Sequence, residues 1–492
     1  MLDSILDAAA QLKPMSVGAL RAGSWTFDGP QSERIGPYLR RVVSTAPQAQ
    51  PADIVTATRF ARQSAPLIAR LSPATRAGIL ERAAVLARGR RDALARVLAL
   101  ELGKPINDGR GEIDRVADTF DICGAETRQL GGEHLPVAGW ARGVGNTALT
   151  FRAPVGVALA ITPFNAPANL LAHKLGASFG AGNTTVVKPP PQAPAISAAI
   201  VALLLEAGMP TTAVQLLHGG GEVGAALCAA EEVGVISFTG SPQTGAAVAR
   251  AAGAKRLALE LGGNAATIVC EDADLAAAAV NCARTGYSNS GQSCISVQRV
   301  YVHRSRFEEF LGLFATEVRK LKVGDPLDPS TDVGSMVDEQ AAERVVVWSA
   351  KAAAGGARVL VGGTREGATA APTIVADPDP QALVVTHEIF GALVAVLPYE
   401  DFDTLIATAN AGRYGLQAGL FTRDIARITT AWRDLEVGGL IVNGSSNYRL
   451  DHVPFGGVKD SGFGRESPRH LIEDYTYVKT LILRGLSVWG EN

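Results

Sequence analysis

The sequence predicts an α/β protein organised around a doubly wound parallel sheet, and three observations support this prediction. The chain of 492 residues exceeds the roughly 250 to 300 residues that one hydrophobic core can serve, so two or three domains are expected. Hydrophobic residues make up 47% of the chain and charged residues 19%, which is the composition of a folded globular protein. From about residue 154 onward, short apolar runs alternate with helical segments of about 10 to 15 residues, the pattern of parallel strands covered on both faces.

The segment ahead of this pattern is helical in its sequence. Residues 52–130 are rich in Ala, Arg and Leu at helical spacing and predict several amphipathic helices, one of which ends at Gly103. The arginines along them are interpreted as solvated faces, because long charged side chains extend from a helix into water. Residues 132–153 then carry Gly and Asn between short β-prone runs, which predicts a hairpin.

The parallel sheet is predicted from five apolar runs that are separated by helices. In chain order they are VGVALAIT, TTVVK, AVQLLH, VGVISFT and RLALEL. A second series of strands and helices runs from about Asn264 to Val442 and predicts a second α/β domain. The C-terminal run TYVKTLILRG is β-prone but has no local partner, so we expect it to pair with the hairpin or with a neighbouring subunit.

Composition and charge exclude several classes of function. The chain has 46 Lys and Arg against 48 Asp and Glu, which gives a formal charge of -2. Such a small charge does not attract nucleic acid or an anionic membrane, so a small-molecule partner is expected. The five cysteines form no CxxC pair and no zinc-type spacing, which indicates a reducing compartment and no metal site. The N-terminus is acidic where a signal peptide is basic, and no apolar run reaches the ~18 residues of a membrane span, so a cytoplasmic protein is expected.

Two glycine-containing turns that follow predicted strands are candidate phosphate sites. In HGGGEVG, Gly219, Gly221 and Gly224 match G-x-G-x-x-G, but no acid follows at the distance needed to hold a ribose. A tight strand-to-helix turn is therefore favoured there, with a phosphate cradle as the alternative. In FTGSPQTG, Gly240 ends a strand and Ser241 opens the next helix, whose N-terminal N–H groups can receive a pyrophosphate.

A thiol, a carboxylate and an amide are predicted near strand ends. Cys294 follows the flexible Gly291 in GQSCI, Glu260 ends the strand RLALE, and Asn165 comes just after the first strand of the sheet. A nucleophile, a base and an amide donor are the groups that acyl chemistry needs. Spacing alone leaves the alternatives open, which are an inert buried cysteine and capping roles for Glu260 and Asn165.

Seven motifs in order carry a family resemblance from about residue 55 to the C-terminus. They are PFNAP (163–167), VVKPP (186–190), FTGS (238–241), LELGG (259–263), GQSC (291–294), EIFG (388–391) and PFGGVKDSGFGRE (454–466). On these motifs the chain resembles the aldehyde dehydrogenase superfamily, nearest to its lactaldehyde, phosphonoacetaldehyde and non-phosphorylating glyceraldehyde-3-phosphate dehydrogenase branch. The resemblance implies NAD(P)-dependent oxidation of an aldehyde to the acid through a cysteine thiohemiacetal and a thioester.

The same resemblance implies roles for individual residues. Cys294 would attack the aldehyde as a thiolate, Asn165 and the Cys294 N–H would hold the oxyanion, and Glu260 would activate the hydrolytic water. Lys174 would support this network. The cofactor-binding residues that the resemblance implies are Thr162, Pro163, Phe164, Lys188, Pro191, Gly221, Phe238, Gly240, Ser241, Leu261, Glu388 and Phe390.

Position 191 bears on the choice of cofactor. Many NAD-specific relatives carry Glu three residues after the lysine of VVKP, where it binds the ribose hydroxyls and repels a 2′-phosphate, whereas this chain has Pro191. Without that anion, and with Lys188 available to pair with the phosphate, NADP is expected in preference to NAD.

The substrate is expected to be a short polar or carboxylated aldehyde. The residues that the resemblance assigns to the aldehyde tunnel form a polar mixture: Asn169, Leu170, His173, Ser293, Ile295, Tyr448, Arg449 and Phe455. Arg449 is a candidate contact for an anionic substrate, with a salt bridge to Asp451 or another carboxylate as the alternative. Several phosphate-handling members have Arg just before the nucleophile, where this chain has Ser293, and this disfavours a phosphorylated substrate. An aromatic or aliphatic aldehyde and cofactor-independent thiol esterase chemistry remain alternatives.

The resemblance also implies a three-part architecture. A Rossmann-type cofactor-binding domain comprises residues 1–131 and 154–262, and an α/β catalytic domain comprises residues 263–465. A small β oligomerisation arm comprises residues 132–153 and 474–485. Because an exposed strand can pair with the sheet of a neighbour, a homodimer or homotetramer is expected.

Overall fold

The computed structural model describes residues 1–486. The helices of the first half are α1 (Leu2–Ala10), α2 (Pro51–Ala69), α3 (Pro73–Gly89), α4 (Arg91–Leu102), α5 (Ile106–Arg128), α6 (Pro167–Ala181), α7 (Pro194–Glu206), α8 (Gly221–Ala229) and α9 (Pro242–Ala252). Its strands are β1 (Met15–Ser16), β2 (Ala19–Arg21), β3 (Ser24–Thr26), β4 (Gln31–Ile35), β5 (Val42–Pro47), β6 (His134–Leu135), β7 (Asn146–Pro154), β8 (Val157–Ile161), β9 (Thr184–Lys188), β10 (Val214–Leu216), β11 (Val235–Thr239) and β12 (Arg256–Glu260).

The helical segment of the sequence forms α2 to α5, as predicted. Proline occupies the first turn of α2 and of α3, where its missing N–H is not needed, and the Ser72 side chain caps α3 by accepting from the Thr75 N–H. Helix α4 ends at Gly103, whose φ of 69° is in the left-handed region that glycine adopts without strain. Local sequence signals therefore set these helix ends.

An eight-stranded sheet forms the centre of the first half, with the order β24-β12-β11-β8-β9-β10-β2-β3. Its five inner strands, β12, β11, β8, β9 and β10, are parallel and correspond to the five predicted apolar runs. Both β8 and β9 are buried at every residue, which explains their near-continuous apolar sequences. The chain leaves β8 toward β9 and later returns to its other side as β11, so this sheet has a topological switch point beside β8.

The second half forms another sheet and its helices. Its helices are α10 (Leu275–Tyr287), α11 (Phe307–Arg319), α12 (Glu339–Ala354), α13 (Leu383–Thr386), α14 (Phe402–Asn410), α15 (Ile425–Asp434) and α16 (Pro468–Asp474). Its strands are β13 (Ala266–Val269), β14 (Arg299–His303), β15 (Arg358–Val361), β16 (Arg365–Glu366), β17 (Thr369–Ala370), β18 (Thr373–Ala376), β19 (Leu393–Tyr399), β20 (Tyr414–Gly415), β21 (Gln417–Phe421), β22 (Gly439–Val442), β23 (Val458–Lys459), β24 (Gly462–Phe463) and β25 (Thr476–Arg484). Seven of these strands form a sheet with the order β15-β18-β19-β14-β13-β21-β22, antiparallel only at β15.

The predicted hairpin and the C-terminal strand form a separate three-stranded sheet with the order β25-β7-β6. Strand β25 pairs antiparallel with β7 along its whole length, from Thr476 opposite Pro154 to Arg484 opposite Asn146. Of the two partners expected for the C-terminal run, the hairpin and a neighbouring subunit, the structure shows pairing with the hairpin.

Strand β24 belongs to the eight-stranded sheet, although its residues were expected in the catalytic domain. Gly462 and Phe463 fall within the predicted catalytic segment 263–465, yet they pair with β12 at the edge of the eight-stranded sheet. A short strand formed this far along the chain has no local sequence signal for its partner.

Among residues 1–486, no helix is both long enough and apolar enough to cross a membrane.

Candidate active site

A cavity of about 630 Å³ lies where the carboxyl ends of β8, β11 and β12 face the second half of the chain. In an open α/β sheet, the chain departs in opposite directions at the switch point and leaves a crevice there. Helix α12 and the loops that carry Cys294 and Glu388 close the other side of the cavity. The site thus lies between the two large sheets.

Most of the residues singled out in the sequence lie on the wall of this cavity. They are Thr162, Pro163, Phe164, Asn165, Leu170, Lys188, Pro191, Gly221, Phe238, Gly240, Ser241, Glu260, Leu261, Cys294, Glu388, Phe390, Arg449 and Phe455. The fold therefore brings the candidate thiol, carboxylate and amide to one space, together with both candidate phosphate turns.

The loop before Cys294 has an unusual backbone. Asn289, Ser290 and Gly291 have φ of 51°, 57° and 72°, three consecutive residues in the left-handed region. Such a conformation costs a non-glycine residue roughly 1 kcal/mol or more, so its surroundings must hold it in place. The Asn289 N–H donates to Asp108 at 2.6 Å, and the Ser290 hydroxyl donates to the Gly334 carbonyl at 2.9 Å.

The segment that follows Glu260 passes close to the backbone of the nucleophile. A Cβ at Gly263 would lie 2.4 Å from the Cys294 carbonyl oxygen, so only glycine fits at this position. Burial, with repulsion from Glu260 and Glu388, raises the pKa of the Cys294 thiol to about 12. The thiol is therefore protonated at neutral pH and needs a base before it can attack.

Glu260 is a buried carboxylate with an unsatisfied oxygen. Its Oε2 has no hydrogen-bond partner within residues 1–486. Burial, with repulsion from Glu466, raises the pKa of Glu260 well above its usual range. A carboxylate that lines the cavity, has a raised pKa and keeps an oxygen without a hydrogen bond is suited to accept a proton.

Glu466, a neighbour of Glu260, is paired with two buried cations. The Lys174 ammonium donates to Glu466 Oε1 at 2.7 Å, and Arg449 Nη1 donates to Glu466 Oε2 at 3.2 Å. Burial alone would raise the pKa of Glu466, but Lys174 and Arg449 lower it to about 2. Glu466 therefore stays ionised while its neighbour Glu260 is harder to ionise.

The cofactor side of the cavity contains polar groups that have no protein partner. The Thr162 hydroxyl is buried without a hydrogen bond, and within residues 1–486 the Lys188 ammonium has neither a hydrogen bond nor a salt bridge. Burial lowers the pKa of Lys188 to about 8. Ser241 caps α9 by accepting from the Thr244 N–H, and both residues line the cavity. A helix N-terminus and a cation without a protein partner on one cavity wall fit the phosphates of a dinucleotide.

Glu388 and Phe390 lie on the opposite wall. Glu388 Oε1 accepts from the Gly263 N–H at 2.9 Å, and burial raises the pKa of Glu388 to about 7. Phe390 packs edge-on against Phe164, with ring centroids 5.8 Å apart. These contacts join the loop of the second sheet to the carboxyl ends of the first.

Six residues singled out in the sequence lie off the cavity wall. Lys174 is fully buried behind it, where it also donates to the Ser237 hydroxyl at 2.9 Å. Asn169 and His173 are equally buried, and both contact Asp451 Oδ1, at 3.2 and 2.9 Å. They were expected to face a tunnel, but their side chains bond to Asp451, whereas Leu170 between them lines the cavity.

The other three lie near the nucleophile or farther away. Ser293 and Ile295 flank Cys294 but do not reach the wall, and Ile295 packs against Leu416 and Phe455 instead. Tyr448 is exposed and lines a different surface cavity. Consecutive residues of a loop point in different directions, so sequence proximity to a site residue does not predict contact.

Arg449 forms a salt bridge, which was the alternative to a substrate contact, but its main partner is a carboxylate other than Asp451. Its closest charged partner is Glu466, whereas its Nε lies 3.8 Å from Asp451. The guanidinium stacks 4.1 Å from the centre of the Phe455 ring, and its Nε is buried without a hydrogen bond. Arg449 thus lines the cavity while its charge is paired with Glu466 and, at a longer distance, with Asp451.

Several polar residues of the wall were not identified from the sequence. They are Gln192, Thr239, Thr244, Gln292, Asp338, Gln340, Arg344 and Glu466. Arg344 Nη2 donates to the Phe390 carbonyl at 3.3 Å and so holds the loop that carries Glu388. Glu466 is the last residue of the quoted run PFGGVKDSGFGRE, so the motif contained a signal for it, whereas α12 offers no such signal.

Comparison with known proteins agrees with the site. The profile of the aldehyde dehydrogenase family matches residues 25–481. A 3-sulfolactaldehyde dehydrogenase from Priestia aryabhattai is 40% identical over 462 residues, which cover 94% of this chain and 96% of that protein.

Two solved structures have the same fold. ALDH21 from Physcomitrella patens, in complex with the reaction product succinate, has a TM-score of 0.93 at 33% identity and covers 97% of this chain and 100% of its own. GapN from Methanocaldococcus jannaschii, a glyceraldehyde-3-phosphate dehydrogenase complexed with NADP, has a TM-score of 0.88 at 34% identity and covers 92% of this chain and 98% of its own. The chain belongs to the aldehyde dehydrogenase family and is an oxidoreductase that oxidises an aldehyde to the carboxylic acid with NAD(P)+.

Proposed function

We propose that the protein oxidises a short anionic aldehyde with NADP+, with Cys294 as nucleophile, Glu260 as general base and Asn165 as oxyanion donor. The observation that carries this proposal is that all three residues lie on the wall of one cavity, and Arg449 lies on the same wall. We also propose that the eight-stranded sheet forms the cofactor-binding domain, the seven-stranded sheet the catalytic domain, and the β25-β7-β6 sheet the arm.

In the first step the Cys294 sulfur bonds to the aldehyde carbon. The thiol proton passes to Glu260, and the carbonyl electron pair moves onto oxygen, where the Asn165 amide and the Cys294 N–H stabilise the negative charge. Each such donor is worth about 3 kcal/mol of transition-state stabilisation in enzymes that use this device. The raised pKa of Glu260 supports this role, because a more basic carboxylate takes a proton more readily.

In the later step Glu260 accepts a proton from water. The resulting hydroxide adds to the thioester carbon, the carbon–sulfur bond breaks, and Cys294 leaves as thiolate with release of the acid. The proton taken from the thiol must leave Glu260 before this step. The bound NAD(P)+ supplies the acceptor for the hydride that is lost between the two steps.

The preference for NADP+ is supported by the surroundings of Lys188. This ammonium has no partner within residues 1–486, and the cavity residues that follow it, Pro190, Pro191 and Gln192, are uncharged. A 2′-phosphate would pair with the ammonium and meet no carboxylate in this segment.

The anionic substrate is supported by Arg449 and by two relatives. The name of the Priestia relative specifies a sulfonated aldehyde, and the plant structure holds succinate. Arg449 lies on the cavity wall, so its positive charge can attract a carboxylate or sulfonate that enters the cavity. A homodimer or homotetramer and a cytoplasmic location are also proposed, the latter from the five free cysteines.

The test is the formation of reduced nicotinamide on a panel of aldehydes with NAD+ and with NADP+. The panel contains lactaldehyde, succinic semialdehyde, glyceraldehyde-3-phosphate, propanal and benzaldehyde. We expect the lowest KM for carboxylated members with NADP+, and no turnover by Cys294→Ala. Turnover that persists in Cys294→Ala would refute the proposed nucleophile.

The anion contact is tested on Arg449→Gln. Loss of one charged hydrogen bond should raise the KM for succinic semialdehyde by about tenfold and leave the KM for propanal unchanged. Equal KM values for both enzymes with the anionic aldehyde would show that Arg449 serves only Glu466.

A further inference from the structure

The backbone carbonyl of Asn165 accepts two hydrogen bonds from side chains that the proposed chemistry does not use. The Lys104 ammonium donates to it at 2.7 Å, and Asn289 Nδ2 donates to it at 3.0 Å. Lys104 follows the end of α4 and is only 4% exposed. Lys104 is therefore a buried lysine that contacts the backbone of a candidate oxyanion donor.

Lys104 is held in place by a buried carboxylate that also fixes the chain after Asn165. Lys104 forms an ion pair with Glu112 of α5, which is 5% exposed. Glu112 Oε1 also accepts from the N–H groups of Ala168 and Asn169, at 2.9 and 3.2 Å. These are first-turn N–H groups of α6, the helix that begins two residues after Asn165. The ion pair therefore fixes the chain from the Asn165 carbonyl to the first turn of α6.

The second donor connects the same carbonyl to the loop of the nucleophile. Asn289 is one of the left-handed residues before Cys294, and its Nδ2 also donates to the Gln292 carbonyl at 3.2 Å. The Asn165 carbonyl is thus a shared acceptor between Lys104 and the loop that positions the thiol. A shift of this carbonyl would change the distance between the amide donor and the thiol.

We propose that Lys104 is a positioning residue that acts through the Asn165 carbonyl to set the oxyanion donor against Cys294. The proposal rests on the oxyanion role proposed above for Asn165. Oxyanion donors act only when they lie where the charge develops, and a misplacement of about 1 Å can cost about 10²-fold in rate. A contribution to stability does not by itself explain why Lys104 and Glu112 are charged, because a buried ion pair often stabilises a protein no more than apolar residues of the same size.

The test is a double-mutant cycle of Lys104→Met and Asn165→Ala, read as kcat. If Lys104 acts through Asn165, Lys104→Met lowers kcat by about 10- to 100-fold in the wild-type background and by less than about twofold in the Asn165→Ala background. The KM for NADP+ should stay unchanged. Equal losses in both backgrounds would overturn the proposal, because Lys104 would then act independently of the amide.

A second readout separates positioning from a general loss of structure. Alkylation of Cys294 by iodoacetamide forms no oxyanion, so its rate should be the same in Lys104→Met and wild type. A parallel fall in kcat and in alkylation rate would overturn the proposal by showing a damaged thiol loop. If Lys104→Met does not fold, Glu112→Gln replaces it, because the amide oxygen still caps α6 while the anion that holds Lys104 is lost. Glu112→Gln should lower kcat less than Lys104→Met does, and again mainly in the background that contains Asn165.

The matched control is Lys459→Met. Lys459 also joins a glutamate, Glu436, and a backbone carbonyl, that of Asn410, but it lies on the surface. Its kcat should equal that of wild type, and a loss equal to that of Lys104→Met would overturn the proposal. If Asn165→Ala itself leaves kcat unchanged, Asn165 is not the oxyanion donor and that part of the proposed function is wrong. If Asn165→Ala lowers kcat but the cycle is additive, only the positioning role of Lys104 is overturned.

Discussion

At the scale of single residues, the ionisation of Glu260 should govern the pH dependence of turnover. Burial and the neighbouring Glu466 raise the pKa of Glu260, so the carboxylate that accepts a proton from water forms only at a higher pH than usual. The rate constant of thioester hydrolysis should therefore rise with pH and level off only above the raised pKa of Glu260. Rapid-quench measurement of thioester breakdown across this range checks the prediction.

The matched variant for this prediction is Glu260→Gln. It removes the titrating group and keeps its size, so the pH-dependent rise should vanish and the rate should fall by about 10²- to 10⁴-fold. An unchanged rising limb in this variant would assign the pH dependence to another group.

Lys188 should determine the cofactor preference. Replacing it with Met removes the cation proposed to pair with the 2′-phosphate, so the KM for NADP+ should rise by about 10- to 100-fold while that for NAD+ changes little. Conversely, Pro191→Glu adds an anion to the same segment and should favour NAD+. Steady-state kinetics with both cofactors provide the measurement, and an equal change for both cofactors in Lys188→Met would contradict the phosphate contact.

At the scale of an element, the loop before Cys294 should tolerate no side chain at Gly291. A Cβ there would lie 2.1 Å from the Gly391 carbonyl oxygen, and the φ of 72° disfavours other residues. Gly291→Ala should lower the thermal midpoint and prevent alkylation of Cys294 at the wild-type rate. The cost of the conformation alone is about 1 to 2 kcal/mol.

Gly312→Ala is the comparison for this variant. Gly312 is exposed in α11 and a Cβ would meet nothing within 4 Å, so alanine should raise stability by about 0.5 to 1 kcal/mol. Calorimetry on both variants distinguishes the two positions. Equal thermal midpoints would show that the loop can adjust to a side chain.

The elements differ in how far the sequence predicts them. The parallel strands β8 to β12 were predictable because burial on both faces demands continuous apolar runs. The N-terminal strands β1 to β5 were not predicted. They are short, and β4 has the polar sequence QSERI, which forms a strand only because it pairs with β5.

The candidate site shows the same division. Cys294, Glu260 and Asn165 follow strands or a recognisable motif, so the sequence indicated them. The charged residues behind them depend on partners far along the chain, such as Lys174 with Glu466. Residue spacing carries no information about such pairs. Asn169 and His173 were likewise expected to face a tunnel, but they bond to Asp451, which lies 282 and 278 residues later in the chain.

At the scale of the whole molecule, the arm should be covered by a second copy of the chain. Strand β25 exposes Val478 and Ile482 on one face and Tyr477 and Leu481 on the other. A small sheet with apolar groups on both faces is unfavourable in water unless another surface covers it. Light scattering should therefore report a dimer or tetramer.

The variant Val478→Glu/Ile482→Glu should give a smaller species. Two charges placed in the contact would have to lose their hydration on association, which is costly. Val85→Glu on α3, at a site 66% exposed, is the control and should leave the mass unchanged. A monomer in the wild type would contradict the proposed assembly.

The late position of β24 has a consequence for synthesis on the ribosome. Glu260 and its neighbours on β12 gain their outer partner only when Gly462 and Phe463 have been translated. Until then the nascent chain presents β12 as an open strand edge, which is a risk for aggregation. A premature termination product that ends before Gly462 should keep most of both sheets yet lack the strand that flanks its base. Catalytic competence should therefore appear only after β24 has been made.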